Sequence, residues 1–204
     1  MLLLDALLPA RCAACGAPAA GWCGACRTAA EALRLPGGRP VLLSPRVAAV
    51  GVFAYDGVVR DAVRGLKIAG RHAAAATLGD AIRSLPVIPR SWTVTWVPST
   101  RRRQRERGVE ITRLLAGRDA VPLLRRVGER PDQTALTAMQ RRRSPLGSFA
   151  PAGRVAGNVV LVDDVRTTGA TATAAAQALL AAGAGRVLVA TFAVGGDAVR
   201  RRGG

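Results

Sequence analysis

The sequence predicts an α/β protein in which a parallel sheet is flanked by helices and preceded by a small four-cysteine module. The short, wholly apolar segment 159–162 and the largely apolar segment 187–194 alternate with segments of helical periodicity. This alternation is typical of a parallel sheet that is covered on both faces. Hydrophobic residues make up 50% of the 204 residues, which is enough for a buried core. All four cysteines lie within the first 27 residues.

The predicted elements follow one another from residue 47 onwards. β-branched and apolar runs predict strands, and apolar residues at spacings of three and four predict helices. The strands are predicted at 47–55, 92–97, 121–127, 159–162 and 187–194, and the helices at 58–68, 73–85, 104–116 and 171–182. Pro86 and Gly183 provide stop signals for two of these helices. The polar, arginine-rich stretch 128–147 has no periodicity, and its length favours a functional loop.

Composition then divides the chain into four parts. Residues 1–30 form the cysteine module, and 31–45, which are rich in proline and glycine, form a linker. Residues 46–196 form the α/β domain, and 197–204 form a basic tail.

The charge predicts anionic partners, since the formal net charge is +17. Of the 30 basic residues 29 are arginine, and Lys67 is the single lysine. The apolar N-terminal run lacks a basic start, is interrupted by Asp5 and stops at Pro9, which argues against a signal peptide. No segment approaches the roughly 20 apolar residues of a membrane helix. We therefore expect a cytoplasmic protein without membrane insertion.

The cysteines form two C-x-x-C pairs, Cys12 with Cys15 and Cys23 with Cys26, separated by seven residues. Two such pairs can supply the four ligands of a tetrahedral Zn²⁺ ion, because each pair provides two thiolates from one tight turn. Gly16 and Gly24 would allow the turns. The alternatives are a redox pair, a disulfide and unliganded thiols. We favour a structural zinc ion, whose four protein ligands would leave no position for catalysis.

The segment 159–171 has the order of a phosphate site. A buried strand ends in Asp163 and Asp164, and a loop of small residues then leads directly into a helix. A helix N-terminus has unpaired N–H groups that bind a phosphate, and Gly169 and Ala170 would allow the backbone close approach. Hydroxyl donors would come from Thr167, Thr168 and Thr171. The adjacent carboxylates suit sugar hydroxyls or Mg²⁺. Together these features indicate a ribose 5-phosphate, whereas the alternative is an acidic strand end followed by an ordinary threonine cap.

This segment resembles the signature of type I phosphoribosyltransferases that binds phosphoribosyl pyrophosphate (PRPP). The resemblance extends over most of the chain and points to the competence-associated ComF family. The further matching residues are Ala54-Tyr55-Asp56-Gly57, Leu66-Lys67, Val97-Pro98, Arg105-Glu106-Arg107-Gly108, the stretch 133–143 and the N-terminal cysteines.

The resemblance implies roles for individual residues. Asp163 and Asp164 would contact the ribose hydroxyls, and Thr167, Thr168, Gly169, Ala170 and Thr171 would wrap the 5-phosphate. The turn of Ser99, Thr100 and Arg101 would face the pyrophosphate. Lys67 would be a further pyrophosphate contact, and Arg141, with its neighbours in the loop, would close over the site.

Two functions stay open at this point. The first is an enzyme that uses PRPP and Mg²⁺ and transfers the phosphoribosyl group to a nitrogen nucleophile with release of pyrophosphate. The second is a non-catalytic protein that handles single-stranded DNA with competence proteins and retains the PRPP site as a sensor or scaffold. The arginine runs 101–107 and 141–143 fit either a nucleic-acid backbone or a solvated face. His72 is interpreted as a surface residue at a helix start, with a catalytic base as the alternative.

Overall fold

A computed structural model describes residues 10–36, 40–127 and 148–196. The helices are α1 (Gly24–Glu31), α2 (Gly57–Lys67), α3 (Ala75–Arg83), α4 (Arg101–Arg107), α5 (Ile111–Ala116) and α6 (Ala170–Ala181). The strands are β1 (Val41–Ser44), β2 (Val47–Ala54), β3 (Thr93–Trp96), β4 (Leu124–Arg126), β5 (Phe149–Pro151), β6 (Val159–Arg166) and β7 (Val187–Val194). A 3₁₀ turn at His72–Ala74 precedes α3.

Five strands form one mostly parallel sheet in the order β1-β2-β7-β6-β3. The strands β2, β7, β6 and β3 are parallel, and β1 joins the outer edge of β2 in the antiparallel direction. The strands β4 and β5 form a separate antiparallel ribbon. The prediction of an α/β fold with a parallel sheet flanked by helices is confirmed.

The sheet is covered on both faces by apolar packing. On one face α2, α3 and α5 pack against side chains such as Val50, Val160 and Phe192. On the other face α6 and the β4–β5 ribbon pack against Val47, Leu161 and their neighbours. Strands buried on both faces explain the continuous apolar runs in the sequence, and all eight residues of β7 are buried.

Several elements differ from the prediction. The single helix predicted at 104–116 is two helices, because Gly108 adopts a left-handed φ of 70° and ends α4. The linker 31–45 contains the edge strand β1, and the predicted strand 121–127 is limited to the three residues of β4. The ribbon partner β5 was not predicted. The strand β6 continues four residues beyond the predicted end, through Arg166.

The cysteine module packs onto the same apolar core as the helices. The Trp22 ring stacks on Phe192 with ring centroids 6.3 Å apart. The Arg71 guanidinium donates to the carbonyl oxygens of Ala13 and Ala14 at 3.1 and 2.5 Å. Gly65 of α2 lies so close to this backbone that an added Cβ would be 1.8 Å from the Ala13 carbonyl oxygen. The module is therefore docked on α2 and the sheet.

Within the described ranges no helix combines the length and apolar character needed to cross a membrane.

Candidate functional site

The two aspartates lie at the carboxyl edge of the sheet, beside the turn that follows β3. The strand β3 ends at Trp96, which pairs with Val162. Its neighbour β6 continues and remains paired with β7, with Asp163 opposite Thr191. The carboxylates are thus inside a strand rather than after it, and the turn 98–100 starts next to them. Ligands of parallel sheets bind at this edge.

The Asp164 carboxylate pairs with the single lysine of the chain. The Nζ atom of Lys67, the last residue of α2, is 2.6 Å from Asp164 Oδ2, and both side chains are largely shielded from solvent. The prediction assigned Lys67 to the pyrophosphate side, and the structure brings it to the carboxylate pair. Its ammonium group provides a countercharge for a site with two adjacent acids.

The Asp163 carboxyl is buried, and its Oδ1 accepts a hydrogen bond of 2.9 Å from the backbone N–H of Asp164. Burial raises the pKa of Asp163 to about 8, and the neighbouring Asp164 carboxylate adds to this effect. The positive charges of Lys67 and Arg126 oppose the rise. The fold therefore disfavours the ionised form of Asp163 more than that of an exposed aspartate.

The loop that joins β6 to α6 is short and rich in hydroxyl groups. Thr167, Thr168 and Thr171 are exposed, and the backbone N–H of Ala170 donates to Thr168 Oγ1 at 3.4 Å. Gly169 is buried with a left-handed φ of 82° and immediately precedes the helix. The first turn of α6 contains no acidic residue. The exposed hydroxyls and the helical N–H groups can together bind a phosphate.

The turn 98–100 is held from within the protein. Ser99 donates through its backbone N–H (3.1 Å) and its hydroxyl (2.6 Å) to the two carboxylate oxygens of Glu110. The hydroxyl oxygen of Thr100 accepts from the N–H of Arg103 at 3.2 Å and caps α4. Both Ser99 donors are therefore engaged, which leaves Thr100 and Arg101 as the groups of this turn that can meet a ligand.

A cavity of about 430 Å³ opens beside this turn. It lies between the end of β3, the helices α4 and α5, and β4. Its walls include Trp96, Ser99, Arg101, Glu110 and Arg126. Arg101, Arg113, Arg125 and Arg126 give the lining of this cavity a strongly basic character.

The structure thus brings Lys67 to the carboxylate pair and sets the Ser99 turn beside it. It also starts α6 directly after the threonine loop. Arg141 lies outside the described residues, as does the rest of the predicted closing loop. His72 is half-buried in its 3₁₀ turn, and burial lowers its pKa. Sequence reasoning missed Glu110 and Arg126, because their importance depends on contacts between distant segments.

The four cysteines form a second site. The sulfur atoms of Cys12, Cys15, Cys23 and Cys26 all lie within 4.8 Å of one another. The distance between the sulfurs of Cys15 and Cys23 is 3.7 Å, close to the separation of about 3.8 Å that two thiolates have around tetrahedral zinc. The cluster could therefore bind a structural zinc ion, as the spacing predicted.

Local backbone geometry explains how the cysteines meet. The first C-x-x-C turn closes with a hydrogen bond from Gly16 N–H to the Cys12 carbonyl oxygen, and Gly16 has a left-handed φ of 79°. Cys23 precedes α1 and Cys26 lies in its first turn. Gly24 was expected to allow the second turn, but it begins the helix, and the left-handed glycine is Gly21.

The thiols have unequal acidity. Burial raises the pKa of Cys12, but hydrogen bonds to its sulfur from the N–H groups of Cys23, Cys15 and Ala14 outweigh this and bring it to about 6. Burial and hydrogen bonds with the other three thiols raise the pKa of Cys26. Four cysteines that compete for negative charge are a favourable ligand set for a divalent cation, which binds them as thiolates.

No protein-family model matches this chain, and no curated protein sequence matches it at a significant level.

Proposed function

We propose that this protein binds PRPP at the carboxyl edge of its sheet, as a ComF-type protein with a type I phosphoribosyltransferase fold. The observation that supports this most is the continuous unit of β6, the loop 167–169 and α6. It places a carboxylate pair and a phosphate-binding helix start a few residues apart. A ribose 5-phosphate has the matching groups, because its diol and its phosphate lie at opposite ends of one small ring.

Each part of the unit has a role in this proposal. The 5-phosphate accepts hydrogen bonds from the threonine hydroxyls and the first N–H groups of α6. Asp163 and Asp164 accept from the ribose hydroxyls. Mg²⁺, bound with PRPP, would be held by carboxylate oxygens and would neutralise charge on the pyrophosphate. Arg101 and Arg126 supply further positive charge on the pyrophosphate side.

The reaction that this site fits is phosphoribosyl transfer to a nitrogen nucleophile. The bond between C1 of the ribose and the pyrophosphate oxygen breaks, and its electron pair leaves with the pyrophosphate. A nitrogen lone pair forms the new bond to C1 and the nitrogen then loses a proton. The transition state resembles an oxocarbenium ion, so the protein acts by positioning and by charge stabilisation.

Calorimetric titration tests the binding. We expect PRPP with Mg²⁺ to bind more tightly than ribose 5-phosphate, because only PRPP reaches the arginines beside the turn 98–100. Ribose 5-phosphate and inorganic pyrophosphate, each alone, are the matched partial ligands. Pyrophosphate release would then be followed with a panel of nucleobases and ammonia. Binding with release supports a transferase, binding without release supports a sensor or scaffold, and no binding contradicts the proposal.

The alternative function, handling of single-stranded DNA, is favoured by one observation. The exposed Arg101, Arg102 and Arg105 of α4 line a groove together with Arg125 and Arg126 of β4. A groove with this density of guanidinium groups suits a polyphosphate backbone.

Salt dependence tests this alternative. Affinity for a single-stranded oligonucleotide should fall steeply with salt. For each tenfold rise in salt concentration, the logarithm of the association constant should fall by about 0.7 per neutralised phosphate. Replacing Arg101, Arg102 and Arg105 with alanine should flatten that slope. If the protein does not bind the oligonucleotide at low salt, or if the arginine replacements leave its affinity unchanged, the arginines form only a solvated surface.

A further inference from the structure

Glu110 is the centre of a hydrogen-bond cluster that joins the turn after β3 to two helices. Its Oε2 accepts from the backbone N–H of Ser99 at 3.1 Å and also from the side-chain amide of Gln104 in α4. Its Oε1 accepts from the Ser99 hydroxyl at 2.6 Å. The Thr112 hydroxyl of α5 lies 3.0 Å from Oε1 and 2.8 Å from the carbonyl oxygen of Val97. One half-buried carboxylate thus holds β3, its turn, α4 and α5.

The turn 98–100 and α4 are too small to hold this geometry alone, whereas α5 is held by its buried Ile111 and Leu115. The helices α4 and α5 have seven and six residues, well below the length at which isolated helices are stable. No side chain of α4 is buried, so apolar packing contributes little to its placement. The hydrogen bonds from Ser99 and Gln104 to Glu110 therefore restrain where the turn 98–100 and the start of α4 lie.

We propose that Glu110 is a positioning residue that sets the turn 98–100 for contact with the pyrophosphate end of the ligand, an inference that rests on the proposed PRPP site. Glu110 acts through Ser99, whose two donors it occupies, and through Gln104. Ser99 consequently fixes the turn instead of touching the ligand. Thr100 and Arg101, which follow it, meet the pyrophosphate, while the loop 167–169 on β6 binds the 5-phosphate independently of Glu110.

Three variants separate positioning from charge and from general stability. Glu110→Ala removes every acceptor of the cluster. Glu110→Gln retains the bonds, because its carbonyl oxygen can accept from Ser99 N–H and Gln104 while its amide donates to the hydroxyls of Ser99 and Thr112. Glu106→Ala is the matched control, since it removes one negative charge from the same helix region but only an exposed pair with Arg102.

Titration calorimetry with PRPP and Mg²⁺, and with ribose 5-phosphate, measures the ligand effect. Glu110→Ala should weaken PRPP binding by about tenfold, as expected for the net loss of one hydrogen bond, and leave ribose 5-phosphate affinity unchanged. Glu110→Gln and Glu106→Ala should bind both ligands like the wild type. Equal losses for both ligands, or none for PRPP, would overturn the positioning role.

Hydrogen exchange gives a readout that needs no ligand. The amides from Ser99 to Gln104 should exchange about tenfold faster in Glu110→Ala, with the wild-type rate retained in Glu110→Gln and Glu106→Ala. Unchanged exchange in Glu110→Ala overturns the inference. If the wild type binds neither ligand, the proposed function fails, and the exchange result alone decides whether Glu110 holds the turn.

Discussion

At the scale of single residues, the carboxylates of the candidate site lower the stability of the folded protein. Asp163 is buried in a strand next to a second carboxylate, although buried acids are disfavoured in their charged form. The ammonium of Lys67 contacts Asp164, not Asp163. Groups that are held unfavourably at one edge of a sheet are typical of functional sites, because a ligand can relieve the cost that the fold maintains.

The first prediction concerns the pH dependence of stability. The pKa of Asp163 is about 8 in the folded protein and 3.8 as its ordinary value, so the native state holds a proton that the unfolded state releases. The stability from this carboxyl is present below about pH 4 and is lost as the pH rises towards 8. Asp163→Asn, which cannot ionise, should lack this loss.

Urea unfolding at pH 5 and pH 8 measures the effect. From pH 5 to pH 8, the free energy of unfolding of Asp163→Asn should rise by at least about 1 kcal/mol relative to that of the wild type. A pKa difference of one unit between the folded and unfolded states corresponds to about 1.4 kcal/mol. Titrating groups that do not interact with Asp163 are the same in both proteins and cancel in the comparison. The same stability difference at both pH values would show that Asp163 is ionised in the folded protein.

At the scale of elements, local sequence patterns predicted that a strand is present better than they predicted where it ends. The strand β7 was predicted with its bounds, because seven of its eight residues are apolar and four of the eight are β-branched. The end of β6 was not predicted, because aspartate is rare in strands. Pairing of β6 with β7 keeps Asp163 and Asp164 in the sheet. The three-residue strands β4 and β5 depend on each other across a long sequence separation, which no local pattern reports.

The contact between α2 and the cysteine module gives an element-scale prediction. At Gly65 an added methyl group would overlap the Ala13 carbonyl oxygen, which belongs to backbone and cannot move freely. Gly65→Ala should therefore destabilise the protein by about 1–3 kcal/mol in thermal or urea unfolding, as overpacking does. Gly24→Ala is the control, because a methyl group there meets nothing within 4 Å. Equal stability of the two variants would contradict the tight docking of the module.

At the scale of the whole molecule, the module and the sheet form one packed unit. The stacking of Trp22 on Phe192 joins the cysteine region to the centre of the sheet. The cluster of four cysteines could be predicted, because two C-x-x-C pairs at this spacing are a strong local signal. The site around Glu110 could not, since residues 97, 99, 104, 110 and 112 meet only after the chain has folded.

A structural zinc ion should therefore stabilise more than its own loop. Protein purified without added metal should contain about one Zn²⁺ per chain by metal analysis. Chelation should lower the melting temperature and change the fluorescence of Trp22, because metal binding and folding are linked. Added Zn²⁺ should restore both. Cys12→Ser with Cys26→Ser should show the lowered stability without chelator. Metal-free protein of unchanged stability would contradict the site.

The proposed function requires that the folded protein bind PRPP through the two aspartates and the loop that follows them. The most direct test is a thermal-shift titration with PRPP and Mg²⁺ on three proteins: the wild type, Asp163→Asn with Asp164→Asn, and Asp61→Asn. Asp61 is an exposed carboxylate of α2 and serves as the control for charge. At a hundredfold excess over Kd, the ligand should stabilise the wild type and the control by about 2.7 kcal/mol. The double variant should show no shift. A wild type without any shift, or a double variant that shifts as far as the wild type, would contradict the claim.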